Sequence, residues 1–197
     1  MDRPSYSVCS TIYNDARCID AHIRSVIPQI TQEFEWVIVD PGSTDGTEAV
    51  LERFARSYER VSVHRFIRRN VVLARGSARR TAASLAWAPV MIHSIDADIV
   101  YRPGALEAIV QEFHRGAEVA AAGDGFFVCK TSDYWKAGGH PSIQTGEDWK
   151  LYDAMAEKGI PFRTVRLNAW ELDLRETDPR RNLAPMGSRE DKTEAVA

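Results

Sequence analysis

Two aspartates separated by one residue, Asp96 and Asp98, stand at the end of the apolar run Val90–Ile95 and carry the most telling chemistry in the sequence. At a strand end, carboxylates in i, i+2 register project to the same side. They repel one another unless a cation or hydroxyl donors lie between them. Hard divalent cations take such oxygens together with substrate phosphates. A cation held this way stabilises charge that grows on a departing diphosphate. Two more polar clusters, Tyr13-Asn14-Asp15 and Asp40–Asp45, close two other strand-like runs. Each alone reads as an ordinary turn, because Asn, Asp and Gly are the residues turns need. An acidic pair, Glu147-Asp148, opens a helical stretch, where acids complement the helix dipole.

These clusters need a scaffold that brings them to one edge, and the chain has the pattern for it. Tyr6–Ile12, Phe34–Val39, Val61–Phe66 and Val90–Ile95 are short β-favouring runs. Between them, Ala16–Ile30 carries Ile19, Ile23, Val26, Ile27 and Ile30 at the three-and-four spacing of an amphipathic helix. Thr47–Ser57 and Gly76–Trp87 are also helical, the first with Thr44 or Asp45 as N-cap. Pro103–His114 places proline near its first turn, the favourable position. Val119–Ala122, Phe126–Cys129 and Phe162–Val165 are further short strands, and Asp148–Lys158 is a helix closed by Gly159. Repeated strand–helix alternation predicts an α/β fold: a mostly parallel central sheet with helices on both faces. Ligands of open α/β sheets sit beyond the carboxyl ends of the strands, where the three polar clusters fall.

Composition narrows the field. The chain has 197 residues, 44% hydrophobic and 27% charged, with a net charge of −3, which fits one globular domain rather than a bulk nucleic-acid binder. Three cysteines (Cys9, Cys18, Cys129) show no metal-site or disulfide spacing, and no run approaches the ~20 apolar residues of a membrane span. The N-terminus lacks a signal-peptide layout. The expectation is a cytoplasmic protein, with residues 1–174 as the domain and the polar 175–197 as a tail disordered in isolation.

The segments YSVCSTIYN, VIVDPGSTDGT, SIDAD and GGHPSIQTGEDWKL, in this order, resemble the family 2 glycosyltransferases. That resemblance implies a single Rossmann-like nucleotide-diphospho-sugar transferase domain of the A type and an inverting, metal-dependent sugar transfer. It also implies residue roles. Thr11, Tyr13 and Asn14 belong to the first nucleotide loop, and Asp40 contacts the base. Asp98 ligates Mn2+ or Mg2+, with Asp96 beside it on the metal, ribose or sugar. Asp148 is the base that deprotonates the acceptor, and Arg80 lies near the diphosphate. The implied donor is a UDP- or GDP-linked sugar, and the implied acceptor a saccharide, a glycan or a polyprenyl phosphate. Some A-type enzymes use a histidine as a third metal ligand, a role open to His140 beside its reading as a loop residue.

The sequence also departs from the family pattern. Pro41 stands where the VDDGSTD form has a second acid, and Lys150 where GEDxDL patterns carry Asp. No QxxRW-like segment follows the GED triplet, which argues against processive synthesis. The arginines Arg65, Arg68, Arg69, Arg75, Arg79 and Arg80 form a basic run suited to a diphosphate or to an anionic membrane surface. Trp135, Trp149 and Trp170 offer aromatic faces for sugar rings, with core packing as the alternative. Two other functions compete. One is a nucleotide-sugar-binding module or partner subunit without turnover, against which the intact Asp96, Asp98 and Asp148 speak. The other is a sugar-nucleotide pyrophosphorylase, which would need a Gly-rich triphosphate loop that CSTIYNDAR does not offer.

Overall fold

The computed structural model describes residues 3–66, 73–93, 96–116, 119–122, 126–161, 163–165 and 170–173. The expected tail, 175–197, lies outside the described residues, as do Arg68, Arg69 and Phe162.

Four strands form the parallel half of the sheet: β1 (Tyr6–Thr11), β2 (Phe34–Asp40), β3 (Val61–Arg65) and β4 (Val90–His93). Helices α1 (Ile19–Val26), α2 (Thr47–Ala55) and α3 (Arg75–Leu85) connect them. Beyond β4 come β5 (Ile99–Tyr101), α4 (Ala105–His114), β6 (Val119–Ala122) and β7 (Phe126–Lys130). The chain continues through α5 (Thr131–Ala137), α6 (Glu147–Glu157), β8 (Arg163–Thr164) and β9 (Trp170–Asp173). Among the described residues the main sheet runs β3-β2-β1-β4-β7-β6-β8, and β5 pairs with β9 in a separate ribbon. β7 lies antiparallel to β4 and to β6, while β6 and β8 are parallel. The order reverses direction between β1 and β4, which makes the carboxyl ends of those two strands the place for a ligand.

Side chains alternate across the sheet as the strand period of two requires. Val8, Trp36, Ile38, Ile92 and Val128 face one core, with Ile19, Ile23, Leu51, Leu106 and Ile109 from α1, α2 and α4. Cys9, Val37, Val39, Met91, Phe127 and Cys129 face the other, with Ala78, Ala82 and Ala83 from α3, Tyr134 from α5, and Leu151 and Met155 from α6. Two packed layers therefore cover the two faces. The expected strand-and-helix alternation stands, with shifted ends. The helix expected over 16–30 is shorter: Asp15 O accepts the amides of Cys18 and Ile19, and a 3-10 turn, Ile27–Gln29, takes over at Pro28. Proline has no amide to donate to the ladder.

The three alanines on the inner face of α3 let this helix lie close to the sheet. Gly76, in its first turn, takes the approach further. A Cβ built there would fall 1.8 Å from the Pro141 carbonyl oxygen. The 138–146 loop is seated on this turn: Gly76 N donates to Ile143 O (3.0 Å), and Arg75 N donates to Gln144 Oε1 (3.2 Å). Gly76→Ala should therefore push the loop off α3 and cost about 1–3 kcal/mol, the usual penalty of overpacking. The check is thermal unfolding; a melting temperature equal to wild type contradicts the seated contact.

Candidate active site

The β1 and β2 loops are fastened to one another by polar side chains. Asn14, held at φ 54°, accepts the Thr44 amide on Oδ1 (2.9 Å) and donates its own amide to Ser43 Oγ (3.0 Å). The Asp15 amide donates to Thr47 Oγ1 (2.8 Å), and the Ala16 amide donates to Asp45 Oδ2 (3.0 Å). Asp45 Oδ1 also accepts the Thr47 amide and hydroxyl. Burial would raise the Asp45 carboxyl, but the Thr47 hydroxyl and these amides hold it below its ordinary value. Asp40 is fully buried, and its Oδ1 closes the turn beneath by accepting the amides of Gly42 (3.0 Å) and Ser43 (2.7 Å). Its Oδ2 lies 3.6 Å from Arg65 Nε.

Beside these loops a cleft of about 270 Å3 opens at the carboxyl end of the sheet, lined by Thr11, Tyr13, Pro41, Arg79, Asp96 and Asp98 among others. A larger groove of about 800 Å3, between α1 and α4 and lined by Tyr6 and Phe34, opens where β1 and β2 begin. Only the smaller cleft gathers carboxylates around a buried cation. Arg79 projects from α3 into it, with its NH2 3.6 Å from Asp96 Oδ1 and its NH1 3.2 Å from Glu147 Oε1. NH1 also donates to Asp148 Oδ1. Burial alone would lower the Arg79 guanidinium, but Asp148, Asp96 and Glu147 raise it above its usual value.

These charges divide the acids. Burial would raise the Asp148 carboxyl, but the His140 hydrogen bond and Arg79 outweigh it and hold it at about 2. Burial pushes the Asp96 carboxyl up to about 6 against the pull of Arg79, with Asp98 adding to the rise. His140 is fully buried, with Nε2 3.0 Å from Asp148 Oδ1 and Nδ1 2.9 Å from Tyr134 Oη. Burial holds its imidazole below the usual value.

The structure thus brings Thr11, Tyr13, Asp96 and Asp98 into one cleft, with Asp148 joined to it through Arg79. Three expected residues lie elsewhere. Asn14 fastens loop to loop. Asp40 is sealed beneath the turn, its Oδ1 spent on backbone amides. Arg80 points the other way: its guanidinium donates to the Gly138 carbonyl and lies over the Trp135 ring at 5.1 Å. One helical residue is a rotation of about 100°, so Arg79 reaches the acids and Arg80 does not. The signal that finds Arg79 is its period, four residues after Arg75 and flanked by the buried Ala78 and Ala82. His140, in the 138–146 loop, has both imidazole nitrogens engaged, by Asp148 and Tyr134. Asp96 and Asp98 are hard oxygen donors on one cleft wall. They suit Mn2+ or Mg2+ with the remaining positions filled by phosphate and water. No group of three or more candidate ligands forms among the described residues.

A mostly parallel sheet with an acid-lined cleft beyond β1 and β4 defines the A-type nucleotide-diphospho-sugar transferase class. Similarity to known proteins agrees. The profile of Glycosyl transferase family 2 matches residues 7–169, and the chain belongs to that family. It is 29% identical over 174 residues to the chondroitin synthase of Escherichia coli, covering 86% of this chain and 24% of that protein. The mannosyltransferase PcManGT of Pyrobaculum calidifontis, solved with GDP-Man and Mn2+, has the same fold. Its TM-score is 0.70 at 19% identity, over 84% of this chain and 56% of that one. Glucosyl-3-phosphoglycerate synthase of Mycobacterium tuberculosis, solved with Mn2+, UDP and glucosyl-3-phosphoglycerate, gives 0.65 at 17% identity, covering 84% and 70%. The chain spans a third or less of the curated relatives it matches.

The depressed Asp148 carboxyl has a consequence for stability. A group at about 2 when folded, against an ordinary 3.8, stabilises the fold above about pH 4. That contribution amounts to about 2 kcal/mol and is lost progressively as pH falls from about 4 through 2. Asp148→Asn should therefore be less stable than wild type at pH 6, with the gap narrowing as pH falls from about 4 through 2 in denaturant titrations. A gap independent of pH contradicts the Arg79–Asp148–His140 arrangement.

Proposed function

We propose that this chain is the catalytic domain of a metal-dependent, inverting, non-processive glycosyltransferase that uses a nucleotide-diphosphate sugar. The observation that carries this reading is the convergence of Asp96, Glu147 and Asp148 on buried Arg79 at the carboxyl ends of β1 and β4. Acids able to hold a cation in the cleft, joined through Arg79 to a carboxylate at a helix start, suit transfer from a diphosphate.

In this reading Thr11 and Tyr13 receive the nucleoside, on a turn that Asp40 and Asn14 keep in shape. Asp98, with Asp96, would hold Mn2+ or Mg2+. When bound, such an ion neutralises charge on the diphosphate. Arg79, in contact with Asp96, adds positive charge to the leaving group, the kind of preorganised electrostatics that usually dominates such catalysis. Asp148 accepts the proton of the acceptor hydroxyl as its oxygen bonds to the anomeric carbon and the bond to the diphosphate breaks. Displacement from the opposite face inverts that carbon. A positioned base contributes roughly 10²–10⁴-fold. A carboxylate at about 2 is a weak base, so an Arg79 drawn toward the donor diphosphate would leave Asp148 more basic when the acceptor arrives.

The donor is a UDP- or GDP-linked hexose or N-acetylhexosamine. The acceptor is a saccharide, a glycan or a polyprenyl phosphate. Exposed Trp149, next to Asp148, and Trp135 under Arg80 supply aromatic surface on the acceptor side.

Thermal-shift titration with UDP-glucose, UDP-N-acetylglucosamine and GDP-mannose, with and without manganese, tests this directly. A donor at about 100 times its Kd stabilises by about 2.7 kcal/mol. Asp98→Ala should abolish the manganese-dependent part of that shift while folding normally, and an unchanged shift would refute the cation assignment. Asp148→Asn should keep the donor shift and lose transfer by at least about 10²-fold. Full transfer by this variant excludes Asp148 as the base.

A further inference from the structure

Behind Asp148 lies a buried hydrogen-bond chain that neither donor binding nor cation binding uses. Tyr134 and His140 are both fully buried, and α5 ends between them at Ala137. The His140 amide donates to Tyr134 Oη (3.1 Å), Tyr134 Oη and His140 Nδ1 are 2.9 Å apart, and His140 Nε2 is 3.0 Å from Asp148 Oδ1. We propose that Tyr134 and His140 form a one-directional hydrogen-bond relay that fixes the orientation of the Asp148 carboxylate for proton abstraction, both acting as positioning residues. The proposal rests on the reading of Asp148 as the base.

The direction of the relay follows from proton counting. An ionised carboxylate has no hydrogen to give, so His140 Nε2 must carry the proton in that bond. A neutral imidazole holds only one N–H, which leaves Nδ1 bare. Nδ1 therefore accepts from the Tyr134 hydroxyl, and Tyr134 Oη in turn accepts the His140 backbone amide. Every bond points toward Asp148, and each step forbids the other tautomer.

Packing holds the relay still. The Tyr134 ring stacks on His93 at 4.9 Å and 13°, and His93 stacks on Phe127 at 5.1 Å and 18°. Neither nitrogen of His93 has a hydrogen-bond partner among the described residues, and burial keeps its ring far below its usual basicity. His93 thus serves as a flat, neutral spacer. Gly139, at φ +70°, turns the chain so that the His140 amide meets the hydroxyl six residues earlier. A Cβ there would sit 2.9 Å from Tyr134 Cε1. The Asp148 Oδ1 atom receives both His140 and Arg79.

Two measurements test the relay. Side-chain 15N NMR of the unliganded protein should show His140 in the Nε2–H form, and Asp148→Asn, which removes the carboxylate that demands it, should let the Nδ1–H form appear. The kinetic test follows nucleoside diphosphate release with manganese and whichever of UDP-glucose, UDP-N-acetylglucosamine or GDP-mannose gives the largest thermal shift. Since displacement of a reacting group by about 1 Å costs roughly 10²-fold, Tyr134→Phe and His140→Asn should lower kcat about ten- to a hundredfold with donor KM unchanged. His140→Gln, whose amide reaches the place of Nε2, should recover most of the rate. An Nδ1–H tautomer in wild type, a wild-type kcat for His140→Asn, or a loss confined to KM each overturns the relay. The tautomer needs no turnover, so it stands apart from the failure of Asp148 as base, which Asp148→Asn at full rate would reveal.

Discussion

A guanidinium cannot shed its proton in a protein interior, so a buried arginine must gather negative charge around it. Arg79 is such a residue, and the site is organised by what it gathers. Its partners come from segments far apart in sequence: Asp96 after β4, and Glu147 and Asp148 at the start of α6. Taken away, it would leave three crowded carboxylates. Without them it would be a stranded cation. The small side chains of Ala78, Ala82 and Ala83, and the missing Cβ of Gly76, let α3 carry this charge deep enough to meet them.

Around that centre the cleft has two halves with different rigidity devices. On one side the β1 and β2 loops are fastened by Asn14, Ser43, Asp45 and Thr47, a network of short polar side chains that fixes the backbone. On the other the 138–146 loop rests on α3 and is pinned by buried aromatic and imidazole rings. Arg79 touches Asp96 as well as Glu147 and Asp148, so its charge couples the segment after β4 to the start of α6.

Much of this was legible in the sequence because it follows short-range rules. Alternating strand and helix periods gave the sheet and its two-sided cover, and acids beyond the strand ends marked the cleft. The losses have physical causes. Pro28 ends α1 earlier than its apolar stripe implies. α5 escaped because seven residues with one buried side chain, Tyr134, leave no periodic stripe. β5 and β9 are too short to alternate visibly. Arg79 and Arg80 are indistinguishable by type, and only depth in the fold separates the one among acids from the one over Trp135. His140 read as a loop residue or a metal ligand, since nothing local announces that Tyr134 and Asp148 take its two nitrogens. Asp40 and Asn14 match nucleotide-loop motifs, and no local pattern announces that Oδ1 of each also accepts backbone amides of the turn after β2.

The most direct measurement is a crystal structure of the wild-type chain with manganese and the nucleotide sugar that stabilises it most. The diphosphate should lie between Asp98 and Arg79, with the anomeric carbon turned toward Asp148 and the Arg79–Asp148 contact lengthened. A donor bound in the groove between α1 and α4, or in the cleft with its sugar facing away from α6, would contradict the account.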